Sequence, residues 1–433
     1  MSVDEKVFFA TEAEMKAYKK EYTDRNYSKN LIMSQNMLRS LVNKTIIGNN
    51  NLLTVGNTTK QVMISNIKQM NSSYVIQDID GELYRQLGKT LEDHGYKVSV
   101  LDLSDLKKPL AYNPLQYLDD EPAIMHFLDC HFEHIPEHHS ADIMSNRLKK
   151  SFYMACISYI KERSKEELSA KNVMEFIQNV QYDEDFEHMD LLFSELPENS
   201  AAKRYYDCFR LGIKKAAENV IYIYATEEDR KENKFYHELI SSAFRMLGKL
   251  NFSSEINLRK VCEEKTAIFV ITDSWNSYAC SDFLASMLFC QTKELIMNKY
   301  EEKHIEQVEW TPLPVQFMIQ DFSSVGYLPE FLNKISYFRL YNMSVLISID
   351  DIRQLKGRFN EREIQELFGS CMIAYYNDNQ LQSNLRFLTK LLAELWNTDD
   401  YEIAKEQILN LHADECVLLL YLYHPFIDKK VVS

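Results

Sequence analysis

The hydrophobic pattern in the first third of the chain alternates between short, nearly continuous apolar runs and longer stretches with helical spacing. The apolar runs predict strands at 52–56, 73–78 and 97–103, which are separated by predicted helices at 58–71 and 80–95. Nearly continuous apolar strands connected by helices are typical of a parallel sheet that is covered on both faces. The pattern therefore predicts the α/β class.

The sequence marks where the second of these helices begins and ends. Leu83, Leu87 and Leu91 repeat at helical spacing and form an apolar stripe. Asp80 is placed to cap the first turn, and Gly95 lies where the backbone at a helix end needs a positive φ. These positions predict a helix that packs on the sheet.

The middle of the chain, from about 119 to 215, has helical spacing and no convincing strand pattern. Strand patterns resume at 266–273, 315–321, 343–350, 370–376 and 416–423. An all-α domain inserted into the sheet domain explains this order. We expect the division 1–118 for the first part of the sheet domain, 119–215 for the insertion and 216–433 for the second part.

The first predicted strand ends at Gly56, where nucleotide-binding proteins have a phosphate loop. The Walker pattern G-x-x-x-x-G-K-[ST] needs four residues between two glycines, because successive backbone N–H groups must curl around the phosphate oxygens. Here only three residues separate Gly56 from Lys60. An ordinary strand-turn-helix, a retained phosphate site and a degraded phosphate site all remain open from this segment alone.

Several longer segments resemble one known family. They are NNNLLTVG, NSSYVIQDIDGELYRQLGKTLEDHGYKVSVLDL with the later YNPLQYL, QFMIQDFSSVGYLPEF, MSVLISIDDIRQLKGRF and CVLLLYLYHPFIDKK. The chain resembles the type IV coupling protein family, the TraG/TraD-like conjugative DNA-transfer ATPases, from about residue 30 to 430. The resemblance implies a RecA-like, P-loop NTPase-type parallel sheet flanked by helices, with an inserted all-α domain that receives protein substrates.

The resemblance also assigns positions to the family's nucleotide site. The matching positions are Gly56, Thr58, Thr59, Lys60, Asp80, Gln320, Asp321, Arg339 and Asp350. In the register that keeps the following helix aligned, Thr58 or its neighbours occupy the place of the P-loop lysine. In the alternative register Lys60 occupies it. The loop is too short in either case.

The other positions depart from the family on the residues that carry the chemistry. Gln320 replaces the Walker B carboxylate that supports Mg²⁺, and Asp321 replaces the glutamate that orients the attacking water. Asp350 replaces a glutamine at the next strand end, Asp80 replaces a lysine, and only Arg339 remains of two paired arginines. Phosphoryl transfer depends on positioning and charge, so these changes together predict a degraded site.

The combined prediction is a catalytically inactive pseudo-ATPase, a coupling-protein paralogue that binds protein partners in conjugative transfer or type IV secretion. An active coupling-protein relative is one candidate partner. The alternatives are an ATP-dependent DNA-translocating coupling protein with an unorthodox loop, and a nucleotide-binding regulator without turnover. We expect no cofactor, and ATP with Mg²⁺ only under the alternatives.

Composition narrows the expected partners and location. The net charge of −15 opposes tight binding of DNA by the chain alone. No apolar stretch approaches the roughly 18 residues of a membrane span, and the family's N-terminal anchor is not recognised. We therefore expect a cytoplasmic protein, with peripheral attachment at the inner face of the membrane as an option.

One further cluster has the composition of a metal site. The segment HFLDCHFEHIPEHH contains Cys130, His131, His134, His138 and His139. These are zinc-ligand residue types, but Pro136 interrupts the helix that would align His134 with His138. Buried structural roles are the favoured interpretation, with zinc as a weak candidate.

Overall fold

The structure is a computed structural model. It describes residues 9–42, 48–56, 59–134, 143–163, 168–180, 186–221, 247–273, 279–322, 325–326, 328, 331–356, 359–376, 382–395, 401–420 and 422–431.

The described strands, in chain order, are β1 (Asn30–Ile32), β2 (Leu38–Ser40), β3 (Leu52–Val55), β4 (Ser73–Ile79), β5 (Lys97–Asp102), β6 (Thr266–Thr272), β7 (Val315–Ile319), β8 (Met343–Ile349), β9 (Met372–Tyr376), β10 (Glu415–Leu419) and β11 (Phe426–Lys429). The described α-helices are α1 (Glu12–Tyr22), α2 (Thr59–Ile67), α3 (Glu82–Asp93), α4 (Glu121–Glu133), α5 (Ile143–Arg163), α6 (Ala170–Val180), α7 (Glu187–Ser194), α8 (Ala201–Ile221), α9 (Ala279–Ile305), α10 (Phe331–Ile335), α11 (Arg353–Lys356), α12 (Glu361–Ser370), α13 (Gln382–Leu395) and α14 (Tyr401–Leu409). Short 3₁₀ turns lie at Tyr27–Lys29, Pro114–Tyr117, Leu258–Lys260 and Phe338–Tyr341.

Within the described residues, nine strands form one sheet in the order β11-β10-β9-β3-β8-β7-β4-β6-β5. The neighbours from β9 to β5 are parallel, whereas β10 pairs antiparallel with both β9 and β11. Val55 pairs with Ile349 and Ile319 pairs with Ile347, so the carboxyl ends of β3, β8 and β7 lie side by side. The predicted parallel sheet is confirmed.

Every residue of the central strands β3, β7, β8 and β9 is buried. Successive strand residues point to opposite faces, so both faces of the sheet are covered. On one face the predicted stripe of α3 packs into a core that also takes in α1 and α2. Truncating one such leucine to alanine typically costs about 2–5 kcal/mol, which explains why the apolar spacing predicts these elements well.

The chain divides into two compact units. The first comprises 1–104, 255–277 and 289–433 and contains the sheet, and the second comprises 105–254 and 278–288. In the second unit α5 and α8 pack together, and the buried rings of Phe152 and Phe209 lie 4.9 Å apart. The predicted limits of the insertion, 119 and 215, fall inside the first segment of this unit, and the three-part division stays a prediction.

Three details differ from the sequence-based expectations. Asp80 is not the N-cap of α3; Gly81 occupies that position with φ 69 and no side-chain cap. The predicted strand at 416–423 is shorter, since β10 ends at Leu419 and the chain turns back into β11. The β1-β2 hairpin was not predicted, because three-residue strands carry too little alternation to detect. Gly95 has the predicted positive φ, 81°.

Candidate functional site

The carboxyl ends of parallel strands are where open α/β sheets bind ligands. Gly56 follows β3, Asp80 follows β4, Gln320 and Asp321 follow β7, and Asp350 follows β8. The structure therefore brings these positions to one edge of the sheet, together with Thr59 and Lys60 in the first turn of α2. Thr58 lies outside the described residues.

Gly56 forms the turn between the strand and this edge. Its φ is 122°, a backbone conformation that favours glycine, and its N–H donates to the carbonyl oxygen of Ile349 at 2.9 Å. This N–H therefore extends the pairing of β3 with β8. The donor is used by the sheet and does not point to a ligand.

Lys60 is the cation closest in sequence to this turn, and its ammonium group forms an ion pair with the carboxylate of Glu82. Lys60 is the second residue of α2 and Glu82 is the first residue of α3, so the pair links the first turns of two helices. The side chain of Lys60 is 26% exposed. The Glu82 carboxylate thus neutralises the ammonium charge of Lys60, which a bound phosphate would otherwise contact. Sequence reasoning missed Glu82, because its pairing depends on how the two helices pack.

The carboxylate of Asp78 supports the backbone next to this ion pair. Its two oxygens accept the N–H groups of Leu83 at 2.9 Å and of Tyr84 at 2.7 Å, which are free donors of the first turn of α3. Asp78 is fully buried, and this desolvation raises the pKa of its carboxyl group. Asp78 is therefore the residue that caps α3. A carboxylate at the end of an apolar strand, four residues before the first residue of a helix, is the signal that could have identified it.

Asp80 and Gly81 make the sharp connection between Asp78 and α3. Their φ angles are 57° and 69°, both left-handed. A Cβ on Gly81 would lie 3.1 Å from Cδ1 of Ile271, a tight contact, so this space and the left-handed φ both favour glycine there. The Asp80 N–H donates to the carbonyl oxygen of Thr272 at 2.8 Å, and its own carbonyl accepts Nη1 of Arg85 at 2.7 Å. The backbone of Asp80 is thereby fixed against β6.

The side chain of Gln320 also stabilises the end of the sheet. Its side-chain oxygen accepts the backbone N–H of Ile79 at 3.0 Å, which ties the end of β7 to the end of β4. A neutral amide whose oxygen already accepts a hydrogen bond is a poor replacement for a metal-binding carboxylate. Asp321 follows directly and is partly buried.

Asp350 and Asp351 follow β8 and precede α11. Their backbone N–H groups both donate to the side-chain oxygen of Gln354, at 3.1 and 3.2 Å. The Asp351 carboxylate accepts from Arg353 and Ser383, and the hydrogen bond from Arg353 is the main reason that its pKa is lowered. The charge of Asp351 is therefore paired with Arg353 within the chain.

Arg339 lies at the other edge of the sheet. It precedes the amino end of β8, and its Nη1 donates to the carbonyl oxygen of Gly48, which precedes β3. The length of β8, roughly 20 Å, separates it from Asp350. Burial, followed by the charge of Arg39, lowers its pKa. Within one chain the structure does not bring Arg339 to the residues around Gly56.

The weak zinc candidate lies in the second unit. His134 is held by its own helix: its Nδ1 lies 2.7 Å from the carbonyl oxygen of Cys130 and 3.6 Å from the Cys130 sulfur. His131 is buried, with its ring stacked on Phe127. His138 and His139 lie outside the described residues. Among the described residues, no group of three or more potential ligands is placed to hold a metal ion.

No helix in the described parts of the chain combines the length and apolar character needed to traverse a lipid bilayer.

Several solved structures are similar in fold to this chain. The bacterial conjugative coupling protein TrwBΔN70 in complex with sulphate has a TM-score of 0.56 at 11% identity, covering 88% of this chain and 86% of that one. TrwB in complex with the ATP analogue ADPNP gives 0.57 at 10% identity, with 88% and 85% covered. VirB4 of Thermoanaerobacter pseudethanolicus gives 0.52 at 12% identity, with 93% and 96% covered. The RecA-like fold predicted from the sequence is confirmed.

No curated protein matches the chain. Residues 54–393 match the family described as Type IV secretory system Conjugative DNA transfer. This range begins within β3, includes the edge built around Gly56 and ends within α13. The chain therefore belongs to the Type IV secretory system Conjugative DNA transfer family.

Proposed function

We propose that this chain is a catalytically inactive member of its family, a pseudo-ATPase that works as a protein-interaction component of conjugative transfer or type IV secretion. The observation that carries the proposal is the ion pair between Lys60 and Glu82. It places a carboxylate of the chain on Lys60, the cation closest in sequence to the shortened loop. Nucleotide phosphates would have to displace that carboxylate before they could use Lys60.

The neighbouring groups support the same conclusion. Mg²⁺ prefers carboxylate and water oxygens in octahedral geometry, and catalysis of phosphoryl transfer depends on that ion. The Gln320 side chain, at the family's carboxylate position, accepts the Ile79 N–H instead. The Gly56 N–H donates to the carbonyl oxygen of Ile349. The polar groups of this edge hold β3, β4, β7 and β8 in register. We infer that they stabilise the sheet without supporting phosphoryl transfer.

The partners are expected to be proteins of the secretion apparatus, with an active coupling-protein relative as one candidate. The place of action would be the cytoplasm, including the inner face of the membrane. DNA is an unfavourable partner for the chain alone because of its net charge of −15. We expect its dissociation constant for single- or double-stranded DNA to be weaker than about 1 µM at physiological salt. A tight and salt-sensitive gel shift would contradict this.

The main test measures nucleotide binding and turnover in the full chain. A ligand at a hundred times its dissociation constant stabilises a fold by about 2.7 kcal/mol, which corresponds to roughly 3 °C in melting temperature for a chain of this length. We expect no shift with millimolar ATP or ADP and Mg²⁺, and no Mg²⁺-dependent hydrolysis with or without DNA. The inactive assignment fails if turnover is observed and Asp321→Ala abolishes it.

Matched variants distinguish a site that lacks phosphate-binding groups from one in which Glu82 excludes the phosphate. Glu82→Gln keeps the size of the side chain but removes the charge that neutralises Lys60. If Glu82 excludes anions, this variant gains a weak shift with nucleotide, and Lys60→Ala in the same background removes it. Nucleotide stabilisation of the unmodified chain that Lys60→Ala abolishes would instead favour the regulator or motor.

A further inference from the structure

A small polar cavity lies at the amino edge of the sheet, within the first unit. Its polar lining consists of Asn50, which precedes β3, Ser72, which precedes β4, Arg339 and Asn342 at the turn before β8, and Ser344 of β8. The centre of a water-sized sphere can move through about 10 Å³ of the cavity, which is room for one particle of that size or slightly larger. A phosphate group is too large for it.

Asn50 offers an N–H donor to this space. Its side-chain oxygen accepts Nε of Arg39 at 3.0 Å, and an arginine side chain has donors only, so the amide oxygen has to face Arg39. The amide nitrogen is the end that remains, and it donates to none of the described groups. Asn50 is 4% exposed. Because an unused donor at a buried position is costly, this nitrogen is expected to have a ligand.

Ser344 offers a second donor. It is buried, and it pairs with Gln316 across β7 and β8. No hydrogen bond joins its hydroxyl group to the rest of the described chain, whereas the hydroxyl group of Ser72 donates to Asn71 and accepts from Gln316. Neither the Ser344 hydroxyl group nor the Asn50 amide nitrogen is fully enclosed by protein atoms. Both are therefore open to a particle in the cavity.

The charge around the cavity is positive. Arg339 lines it, and Nη1 of Arg339 donates to the carbonyl oxygen of Gly48 at 2.7 Å, which fixes the position of the guanidinium group. Burial, followed by the charge of Arg39, lowers the pKa of Arg339, so the two guanidinium groups lie close enough to repel each other. The described lining of the cavity contains no carboxylate. A negative charge in the cavity is therefore attracted by both arginines.

We propose that this cavity binds a single small inorganic anion, such as chloride. The ion accepts hydrogen bonds from the Asn50 amide and the Ser344 hydroxyl group, and its charge offsets the repulsion between Arg39 and Arg339. Water would satisfy the two donors but would leave that repulsion in place, and hydrogen bonds to a charged acceptor are also the stronger ones. The ion joins the β1-β2 hairpin, the start of β3 and the start of β8 at one point.

The test compares the full chain in sodium chloride and in sodium gluconate at equal ionic strength, because gluconate is too large for the cavity. With a dissociation constant of about 10 mM, chloride at about 300 mM raises the melting temperature of a chain of this length by about 2 °C relative to gluconate. The second measurement is the width of the chloride NMR line, which broadens when the ion exchanges with a site on the protein. We expect both the shift and the broadening.

The decisive variant is Asn50→Asp, which keeps the shape of the side chain. Its carboxylate still accepts Nε of Arg39, so we expect the fold to be retained, but a negative oxygen replaces the N–H donor. Both chloride responses should disappear. Ser344→Ala removes the other donor and should weaken chloride binding by about tenfold. The matched control Asn49→Asp adds the same charge one residue away, outside the lining of the cavity, and should keep both responses.

Several results would overturn the proposal. An unchanged melting temperature or an unbroadened chloride line would mean that water alone fills the cavity. Chloride responses that persist in Asn50→Asp, or that are unaltered in Ser344→Ala, would place the ion elsewhere. Equal losses in Asn49→Asp and Asn50→Asp would show a general effect of net charge. None of these measurements involves nucleotide, so their outcome is independent of the proposed pseudo-ATPase function.

Discussion

The two edges of the central sheet treat their polar and apolar groups in opposite ways. At the carboxyl edge the ion pair of Lys60 with Glu82 and the hydrogen bond from Ile79 to Gln320 satisfy polar groups within the chain. At the opposite edge, where β9 begins and β10 ends, Leu422 is exposed beside an apolar cleft. At the edge that binds ligands in open α/β sheets, these polar groups are thus paired within the chain, whereas the opposite edge exposes apolar side chains.

The difference shows which parts of a fold can change independently. Strands β3, β7 and β8 are buried along their whole length, so their residues are fixed by packing on both faces. The residues after each strand only have to satisfy their own backbone and charges. A ligand edge can therefore become a structural one while the sheet is retained.

The largest expected effect tests whether the amino edge is also held by polar contacts. Asn51 is fully buried in front of β3. It donates to the carbonyl oxygens of Ile335 at 2.7 Å and Ser370 at 3.1 Å, and it accepts the Val345 N–H at 3.1 Å. Asn51→Ala leaves these groups without that partner, so we expect a loss of about 3 kcal/mol or more in the free energy of unfolding, measured by denaturant titration.

Asn49 supplies the matched control. Its side chain donates to the same Ser370 carbonyl at 3.2 Å but is only partly buried. We expect Asn49→Ala to cost less than about 1 kcal/mol. Equal losses in the two variants would contradict the view that Asn51 organises this edge.

The second effect concerns the cap of α3 at the carboxyl edge. Asp78→Ala removes the acceptor of the Leu83 and Tyr84 N–H groups and should cost about 1–2 kcal/mol near neutral pH. Asp93→Ala, an exposed aspartate at the end of the same helix, is the control and should have little effect.

The pH dependence of this variant has a defined sign. Burial raises the pKa of Asp78, so the folded state binds its proton more tightly than the unfolded state does. Stability from this group therefore increases as the pH falls from neutral through the raised pKa towards about 4. The stability difference between the unmodified chain and Asp78→Ala should grow over that interval. A difference that shrinks on acidification would show that the carboxylate is stabilised by its hydrogen bonds more than burial penalises it.

The sheet could be predicted from the sequence because burial leaves a periodic signal. The runs around Leu52, Ile76 and Val345 are mostly apolar, and the structure places each in a central strand. The hairpin β1-β2 and strand β11 were missed, because three or four residues give too short a pattern. Asp80 was predicted as the cap of α3. In the structure Asp80 and Gly81 both have left-handed φ angles, and the Asp78 carboxylate accepts the hydrogen bond from the first turn of the helix instead.

The edge chemistry could be predicted only in part. The sequence shows that Gln320 and Asp350 differ from the family pattern, since those positions follow recognisable strands. It does not show that Lys60 pairs with Glu82 or that Gln320 accepts from Ile79, because both contacts join segments far apart in the chain. The position of Arg339 at the opposite edge likewise depends on strand direction and not on the local pattern.

The third prediction tests, at dilute concentration, whether Leu422 is strained and makes little packing contact within its own chain. Leu422→Asn exchanges a strained residue for one that tolerates the left-handed region, and it loses little burial because the side chain is 86% exposed. We expect a gain of about 0.5–1 kcal/mol in unfolding free energy at dilute, monomeric concentration. A loss of stability would mean that Leu422 packs within its own chain, and the contrast between the two edges would weaken.

The smallest effect concerns the acid at the rim of the cleft. The hydrogen bond from the Thr11 N–H, followed by that from His424, lowers the pKa of the Glu14 carboxyl group. A lowered pKa means that the folded state holds this proton less tightly than the unfolded state, so the contribution to stability is present at neutral pH and is lost as the pH falls through the lowered value. Because the Glu14 side chain is 33% exposed, solvent screens part of this contribution. We expect Glu14→Gln to lower the melting temperature slightly at neutral pH and to match the unmodified chain at pH values below the lowered pKa, with Glu12→Gln, an exposed neighbour in the same turn, as the control. A difference that persists in acid would show that the side chain acts through packing against the cleft and not through its charge.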